Sequence, residues 1–170
     1  MKVLVIDVGG SHVKILATGQ TKKRRMVSGP KLGARQMVDG VKQLAEGWSY
    51  DAVSIGFPGV VKHDQPIAEP RNLGHGWVDF DYAAAFGCPV KIVNDAAMQA
   101  LGSYRQGTLL FLGLGTGLGA ALVVDGRVLP TELAHLPYRK SSFEAHVGKP
   151  ALRRDGKKRW RKKVAEWWCA

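Results

Sequence analysis

Two glycine-rich stretches carry residue types that can bind a phosphorylated ligand. The first, beginning at Leu4, reads "LVIDVGGSHVKILATG", and the second, "LFLGLGTGLGAALVVDG", follows about 105 residues later. Each has an apolar run, a glycine turn with a hydroxyl residue, and a second apolar run, which is an internal repeat of strand, turn and strand. Glycines leave backbone N–H groups open to the close approach of phosphate oxygens. We therefore predict phosphate binding by Gly9, Gly10, Ser11, Lys14, Gly115, Thr116 and Gly117.

The carboxylate of Asp7 is not needed for a hairpin turn. Beside a phosphate it is repulsive unless a divalent cation lies between them, and Mg²⁺ accepts one or two carboxylates together with phosphate oxygens and water. We therefore predict that Asp7 holds Mg²⁺ through water. The competing interpretation is structural, because a glycine turn between strands is most often only a hairpin and Lys14 suits a solvated strand.

Other phosphate motifs do not fit the sequence. Residues 115–120, "GTGLGA", match the letters of a dinucleotide fingerprint, but that motif opens a helix and here a strand is predicted next. The chain has no G-x-x-x-x-G-K-[ST] sequence, which excludes a Walker-type loop.

The elements that position these residues alternate between strand and helix patterns. Apolar spacing predicts a helix over 34–48, mostly loop over 60–80, and a strand that ends at Asn94-Asp95, where either residue can cap the next helix. A further helix, a short one, is predicted around 150–155. The predicted strands cover 2–7, 12–18, 23–28, 108–113 and 119–125.

Composition favours a globular protein, with 45% hydrophobic residues among 170. No apolar run approaches the roughly 18 residues of a membrane span and no leader pattern opens the sequence, so we expect a cytoplasmic location. Cys88 and Cys169 lack the spacing of a zinc site or a disulfide framework. Cys88 is expected to be a buried apolar residue.

Most of the net charge of +11 lies near the carboxyl end, where residues 139–170 hold 11 Lys and Arg against 3 Asp and Glu. In this tail Trp160, Val164, Trp167 and Trp168 form one apolar helical stripe opposite a basic face. Such a helix either docks on the domain with its basic face in solvent, which we favour, or binds an acidic lipid surface, nucleic acid or polyphosphate.

Six motifs together resemble the ROK family of sugar kinases, and in particular its short bacterial branch similar to polyphosphate glucokinases. They are "IDVGGSHVK", "GFPG", "EPRNLGHGW", "VNDAAMQALG", "FLGLGTGLG" and "ELAH". The resemblance implies an α/β, actin-like ATPase (ribonuclease-H-like) fold. It implies a complete amino-terminal lobe over 1–106 and an incomplete lobe over 107–170 with a basic helical tail, the sequence being C-terminally truncated relative to the family.

The resemblance also implies the site residues. Asp95 is the base that accepts the sugar hydroxyl proton, and ATP or polyphosphate donates the phosphoryl group with Mg²⁺. Because Glu132 and His135 lie three residues apart, a helical turn would let them grip adjacent hydroxyls. The hexose, glucose first, is contacted by Asn72, Asn94, Gly59, Glu132 and His135.

No zinc is expected, because the family's downstream cysteine cluster is missing, and a homodimer without a membrane span is expected. Two further function classes stay open. One is a catalytically degenerate sugar-binding protein, and the weaker one, supported only by the tail, is a nucleic-acid-binding module.

Overall fold

A five-stranded sheet organises the first of two compact units, Met1–Met98 and Gln99–Ala170, in the computed structural model. The structure describes residues 1–115 and 117–168, so Thr116 and Cys169 lie outside it. The predicted lobe boundary at residue 106 stays a prediction. The strands of this unit are β1 (Val3–Val8), β2 (His12–Ala17), β3 (Arg24–Val27), β4 (Ala52–Phe57), β5 (Val61–Lys62), β6 (Gln65–Pro66) and β7 (Val90–Asn94).

The sheet has the order β3-β2-β1-β4-β7. Strands β1, β2 and β3 pair as an antiparallel meander, whereas β1, β4 and β7 are parallel. Side chains alternate between the two faces, and Leu4, Ile6 and Val8 are fully buried. The predicted strands of the first glycine stretch are therefore confirmed.

The helices of this unit are α1 (Ala34–Leu44), α2 (Tyr82–Phe86) and α3 (Asp95–Ser103), whose end extends past residue 98. Helix α1 buries Met37, Val38 and Val41 in the core with the sheet residues. Each such burial contributes about 1.5–3 kcal/mol. Its predicted end at 48 is wrong, because the Glu46 N–H donates to the Gln43 carbonyl, three residues back, which breaks the helical pattern, and the chain then turns at Gly47, where φ is 79°.

The region 60–80, predicted as mostly loop, contains the two-residue strands β5 and β6. His63 and Asp64 join them, both with positive φ, which is the backbone of a tight hairpin turn. Helix α2 was not predicted. It is a short helix capped by Asp81, whose carboxylate accepts from the Ala84 N–H at 2.9 Å.

The second unit contains a three-stranded antiparallel sheet of order β10-β9-β8. The predicted strands on either side of the second glycine turn are confirmed, and β10 was not predicted. Its elements are β8 (Thr108–Leu114), β9 (Leu118–Val124), β10 (Arg127–Pro130), β11 (Pro137–Tyr138), β12 (Ser141–Ser142), α4 (Phe143–Val147) and α5 (Lys149–Trp168).

Helix α5 is interrupted at Gly156, whose φ of 73° and ψ of 157° are not helical. Asp155, just before the break, accepts hydrogen bonds from Arg154 and from Lys163 beyond it, at 3.1 and 2.8 Å. These hydrogen bonds lower the pKa of Asp155 to about 2. The sequence prediction of two helical segments in the tail is confirmed.

Three residues of the predicted apolar stripe, Trp160, Val164 and Trp167, are docked on the second unit. The Trp160 Nε1–H donates to the Val147 carbonyl at 2.8 Å. Val164 and Trp167 pack on a cluster that contains Leu118, Ala134 and Val147. This arrangement is the docked helix favoured from sequence, and none of the described helices is long and apolar enough to span a membrane.

Candidate active site

The parallel strands of the first unit bring the predicted residues to one edge of its sheet. Asp7 pairs with Gly56 of β4, and Asn94 at the end of β7 pairs with Phe57. In open α/β sheets the edge beyond the carboxyl ends of parallel strands is where ligands bind. Asp7, the β4–β5 loop and the Asn94-Asp95 pair therefore lie at an edge suited to a site.

The first glycine turn is held by its own backbone and by Ser28. The Gly9 N–H donates to the His12 carbonyl at 3.1 Å, and the Ser28 hydroxyl donates to the Gly9 carbonyl at 2.5 Å. Within the described residues, the N–H groups of Gly10 and Ser11 have no acceptor. Two consecutive donors thus stay available for a ligand anion, and phosphate binding at this turn stays a prediction.

Asp7 and Lys14 face each other across β1 and β2. Lys14 Nζ lies 2.9 Å from Asp7 Oδ2, with the two side chains 43% and 23% exposed. Asp7 Oδ1 has no hydrogen-bond partner among residues 1–115 and 117–168. The pairing fixes the Asp7 side chain while leaving one carboxylate oxygen open.

The Asp7 carboxylate fits the predicted role toward Mg²⁺. No group of three or more His, Cys, Asp or Glu in the described part of the chain could hold a metal by protein ligands alone. Mg²⁺ does not need such a group, since it usually keeps several waters and takes one or two carboxylates with substrate phosphates. The open Asp7 oxygen beside a turn with free N–H donors matches that requirement.

Asn72 lies directly on the first glycine turn. A Cβ atom added at Gly10 would come within 3.3 Å of Asn72 Cβ, so the glycine allows this close approach. The loop that follows is held by Glu69, whose carboxylate accepts from the N–H groups of Gly76 and Trp77 at 3.1 and 3.2 Å. The structure therefore brings the predicted sugar contact Asn72 next to the predicted phosphate turn.

Asn94 caps helix α3 and reaches the β4–β5 loop. Its Oδ1 accepts from the N–H groups of Ala96 and Ala97 at 3.0 and 3.2 Å. Its Nδ2 donates to the Gly59 carbonyl at 3.2 Å. Since an amide has two donor hydrogens, one of them stays available for a sugar hydroxyl.

Asp95 occupies the first position of α3, next to this cap. Burial raises the pKa of Asp95, the hydrogen bond from the Ala96 N–H opposes that shift, and the negative charge of Asp7 raises the pKa further. The two carboxylates therefore lie close enough to interact. A carboxylate with a raised pKa is a stronger base than an ordinary aspartate, as a proton acceptor requires.

Gly56 allows α3 to start close to the sheet. A Cβ atom there would lie 3.4 Å from Asp95 Cα and would collide with the Met98 side chain. Trp77 is fully buried and packs on Phe57 at 5.6 Å between ring centroids, so its ring is not open to a ligand.

The second glycine turn has a different environment. The Gly115 N–H donates to the Gly117 carbonyl at 3.1 Å, and the Leu118 N–H donates to Glu144 Oε2 at 3.1 Å. The Glu144 carboxylate also lies against Gly117, at the position that a Cβ atom would fill. An internal carboxylate therefore uses one of the donors of this turn. Thr116 was predicted as a third phosphate ligand here and is outside the described residues.

Glu132 and His135 are exposed, and the predicted helical turn for them is wrong. Residues 131–133 have no regular structure, and 134–135 form a turn in which the Leu136 N–H donates to the Leu133 carbonyl at 3.2 Å. The turn is fixed because the Glu144 N–H donates to the Ala134 carbonyl at 3.1 Å. Their sugar-binding role stays a prediction.

Three side chains that hold the glycine turns and the adjoining loop in place were not identified from the sequence. Glu69 was part of a quoted motif without a role, and Ser28 gave no signal. Glu144 lies 26 residues from Leu118 along the chain, so nothing local in the sequence connects the two.

Family assignment follows from the match of residues 3–133 to the ROK family. The chain belongs to the ROK family. Two curated relatives are similar to it over most of its length. They are the bifunctional enzyme NanE/NanK of Brucella melitensis biotype 1, 29% identical over 143 residues, and the polyphosphate glucokinase of Mycobacterium tuberculosis, 28% identical over 151 residues.

The matched regions cover 75% and 77% of this chain but 27% and 57% of those two relatives. The chain thus spans little more than half the length of the polyphosphate glucokinase. The structure of the ROK hexokinase from Thermus thermophilus is 26% identical, with a TM-score of 0.69 over 95% of this chain and 65% of that one. The predicted actin-like ATPase fold of the ROK sugar kinases is confirmed.

Proposed function

We propose that this ROK-family chain is a sugar kinase that transfers a phosphoryl group from ATP or polyphosphate to a hexose hydroxyl, with glucose as the first substrate. The observation that carries the proposal is the position of Asp95. Its carboxylate is half-buried at the edge of the first sheet, at the residue that follows the capping Asn94, and the charge of Asp7 acts on it.

Asp95 is the proton acceptor in this proposal. Phosphoryl transfer to an alcohol needs a base within hydrogen-bond reach of the hydroxyl, and the charged form must predominate at the working pH. Because burial and Asp7 raise the pKa of Asp95, its carboxylate holds the hydroxyl proton more strongly than an ordinary aspartate would. The nearby cap also fixes the backbone from which the carboxylate projects.

The sugar would be held by neighbouring side chains of the first unit. The remaining Asn94 donor and the Asn72 amide provide hydrogen bonds to hydroxyls, and Gly59 is tied to Asn94 through its carbonyl. Glu132 and His135 are proposed as further sugar contacts. No zinc is needed by these groups.

The donor phosphate would bind the open N–H groups of Gly10 and Ser11, with Lys14 beside them. The second turn, Gly115 to Gly117, is proposed as the other phosphate contact. Bound Mg²⁺ supplies neutralisation of charge on the phosphate that is transferred, and the open Asp7 oxygen is the group that would hold it through water. Similarity to the M. tuberculosis polyphosphate glucokinase supports polyphosphate as a donor besides ATP.

A second candidate is a sugar-binding protein without turnover. It is favoured by Glu144, whose carboxylate lies on the second glycine turn and opposes a phosphate there. The homodimer and the cytoplasmic location stay predictions.

A coupled assay of several hexoses against ATP and polyphosphate tests the proposal, with glucose binding measured by calorimetry on the same sample. The kinase predicts phosphorylation of at least one hexose with Mg²⁺ present. Glucose binding without turnover on either donor would select the sugar-binding protein. The absence of both binding and turnover for every hexose would reject both candidates.

A further inference from the structure

The second segment of α5 presents a dense basic face. Six of the seven residues 157–163 are Lys or Arg, and no acidic residue lies among them. We define the basic face as the five exposed members Lys157, Lys158, Arg159, Arg161 and Lys162. Within the described residues none of the five forms an ion pair, whereas Lys163 is paired with Asp155.

The acidic residues of the helix do not neutralise this face. Asp155 is engaged by Arg154 and Lys163, and its side chain is only 8% exposed. Glu166 is the remaining acidic residue of α5. The basic face therefore carries close to its full positive charge.

The opposite side of the helix is already used. Trp160 is tied to the Val147 carbonyl, and Trp167 packs on Phe143 with 4.9 Å between ring centroids. Insertion into a lipid surface would need these apolar side chains, which are already packed within the unit. The folded unit could therefore interact with a membrane only through its basic residues. A water-soluble polyanion suits the face better.

A cavity lies beside the second glycine turn, at the start of α5. It has a volume of about 320 Å³ and is lined by Leu114, Gly115, Lys149, Leu152 and Trp160. The Lys149 N–H donates to the Gly115 carbonyl at 3.1 Å, which fixes the start of α5 on the turn. Trp160 forms one wall of this cavity from the docked side of the helix, and none of the five basic-face residues lines it.

We propose that the basic face binds an extended inorganic polyphosphate chain. That the polyphosphate serves as the phosphoryl donor rests on the proposed kinase function, whereas its binding to the basic face does not. A linear phosphate chain matches a row of Lys and Arg that carries charge and little else. Nucleic acid is less well matched, because Trp160 and Trp167 pack inward and offer no surface on which bases could stack.

The test is direct binding of fluorescently labelled long-chain polyphosphate at several salt concentrations. The variant carries Lys158→Gln, Arg159→Gln, Arg161→Gln and Lys162→Gln, which keep helix propensity similar. We expect its affinity to fall at least about tenfold and its dependence on salt to become shallower, since fewer counterions are displaced.

The matched control removes the same number of exposed charges from the first unit, as Lys22→Gln, Lys23→Gln, Arg25→Gln and Lys31→Gln. It is expected to bind within about twofold of the unmodified chain. Equal losses in the two variants would mean that only net charge matters and would overturn the inference. So would displacement of polyphosphate by duplex DNA at an equal concentration of phosphate.

Phosphorylation of glucose with ATP, measured on both variants, separates the two proposals. The basic-face variant should keep this activity while losing polyphosphate binding. Unaltered polyphosphate binding in that variant rejects the basic face whatever the ATP activity is. Conversely, absence of all kinase activity in the unmodified chain rejects the proposed function and leaves the binding result standing.

Discussion

The two glycine turns share one plan in sequence but have different surroundings in the structure. At the first turn, the N–H groups of Gly10 and Ser11 stay open, and the nearby acid, Asp7, is balanced by Lys14. At the second turn, Glu144 accepts from the Leu118 N–H and lies against Gly117. A repeated strand-turn-strand unit thus specifies a shape, and the side chains that pack on it later decide whether an anion can enter.

The largest difference between the turns is expected from Asp7, which has no counterpart at the second. Asp7→Asn should lower Mg²⁺-dependent turnover at least about 100-fold, because the open carboxylate oxygen is lost. Circular dichroism and the melting temperature should show an intact fold. Full activity of this variant would remove the catalytic explanation of Asp7.

Alanine substitutions at the two turns are expected to affect different properties, stability at the second turn and function at the first. Gly117→Ala should cost about 1–3 kcal/mol of unfolding free energy, since its methyl group displaces Glu144 from the Leu118 N–H. Gly10→Ala meets only Asn72 Cβ at 3.3 Å, so its stability cost should stay below about 1 kcal/mol.

The Gly10 variant should instead weaken kcat/KM by on the order of tenfold, through displacement of Asn72 and the open N–H donors. Denaturant unfolding and steady-state kinetics on both variants provide the comparison, each variant serving as the control for the other. If Gly10→Ala lowered stability and left the kinetics unchanged, the first turn would have a structural role and not the functional one assigned to it.

Removal of the charge on Glu144 should have a smaller effect. Glu144→Gln replaces a charge-assisted hydrogen bond to Leu118 by a neutral one, which we expect to cost about 1 kcal/mol of unfolding free energy. The KM for the donor should fall, because a phosphate at this turn no longer meets a carboxylate. A rise in that KM would show that the charge of Glu144 favours donor binding.

The smallest expected effect is a shift in pH dependence. Because the pKa of Asp95 is raised, activity that needs its carboxylate should be lost, as pH falls, at a higher pH than an ordinary aspartate would give. By NMR titration, Asp7→Asn should move the Asp95 pKa downward, since the charge of Asp7 contributes to the rise. An Asp95 pKa that is unchanged in this variant would show that the charge of Asp7 does not act on Asp95.

Much of the fold and part of the candidate site could be predicted from local sequence patterns. The strands around both turns, the placement of Asn94 and Asp95 between a strand and a helix, and the apolar stripe of the tail all follow from periodicity and capping residues. The prediction of α1 to residue 48 failed because Trp48 continues the apolar spacing, although the helix ends at Leu44 and the chain turns through Gly47.

Contacts between distant residues could not be predicted in the same way. The hydroxyl of Ser28 on Gly9, the carboxylate of Glu69 on the loop at Gly76 and Trp77, and Glu144 on Leu118 all depend on tertiary packing. The predicted helical turn for Glu132 and His135 failed for a related reason, since the loop is fixed by its hydrogen bonds to residues 143 and 144.

The central claim is that Asp95 accepts the proton of the sugar hydroxyl. It is tested most directly by kcat of Asp95→Ala, with glucose affinity measured by calorimetry on the same sample. The account predicts a fall in kcat of about 10²–10⁴-fold while glucose affinity changes by less than about threefold. A kcat equal to that of the unmodified chain would contradict it.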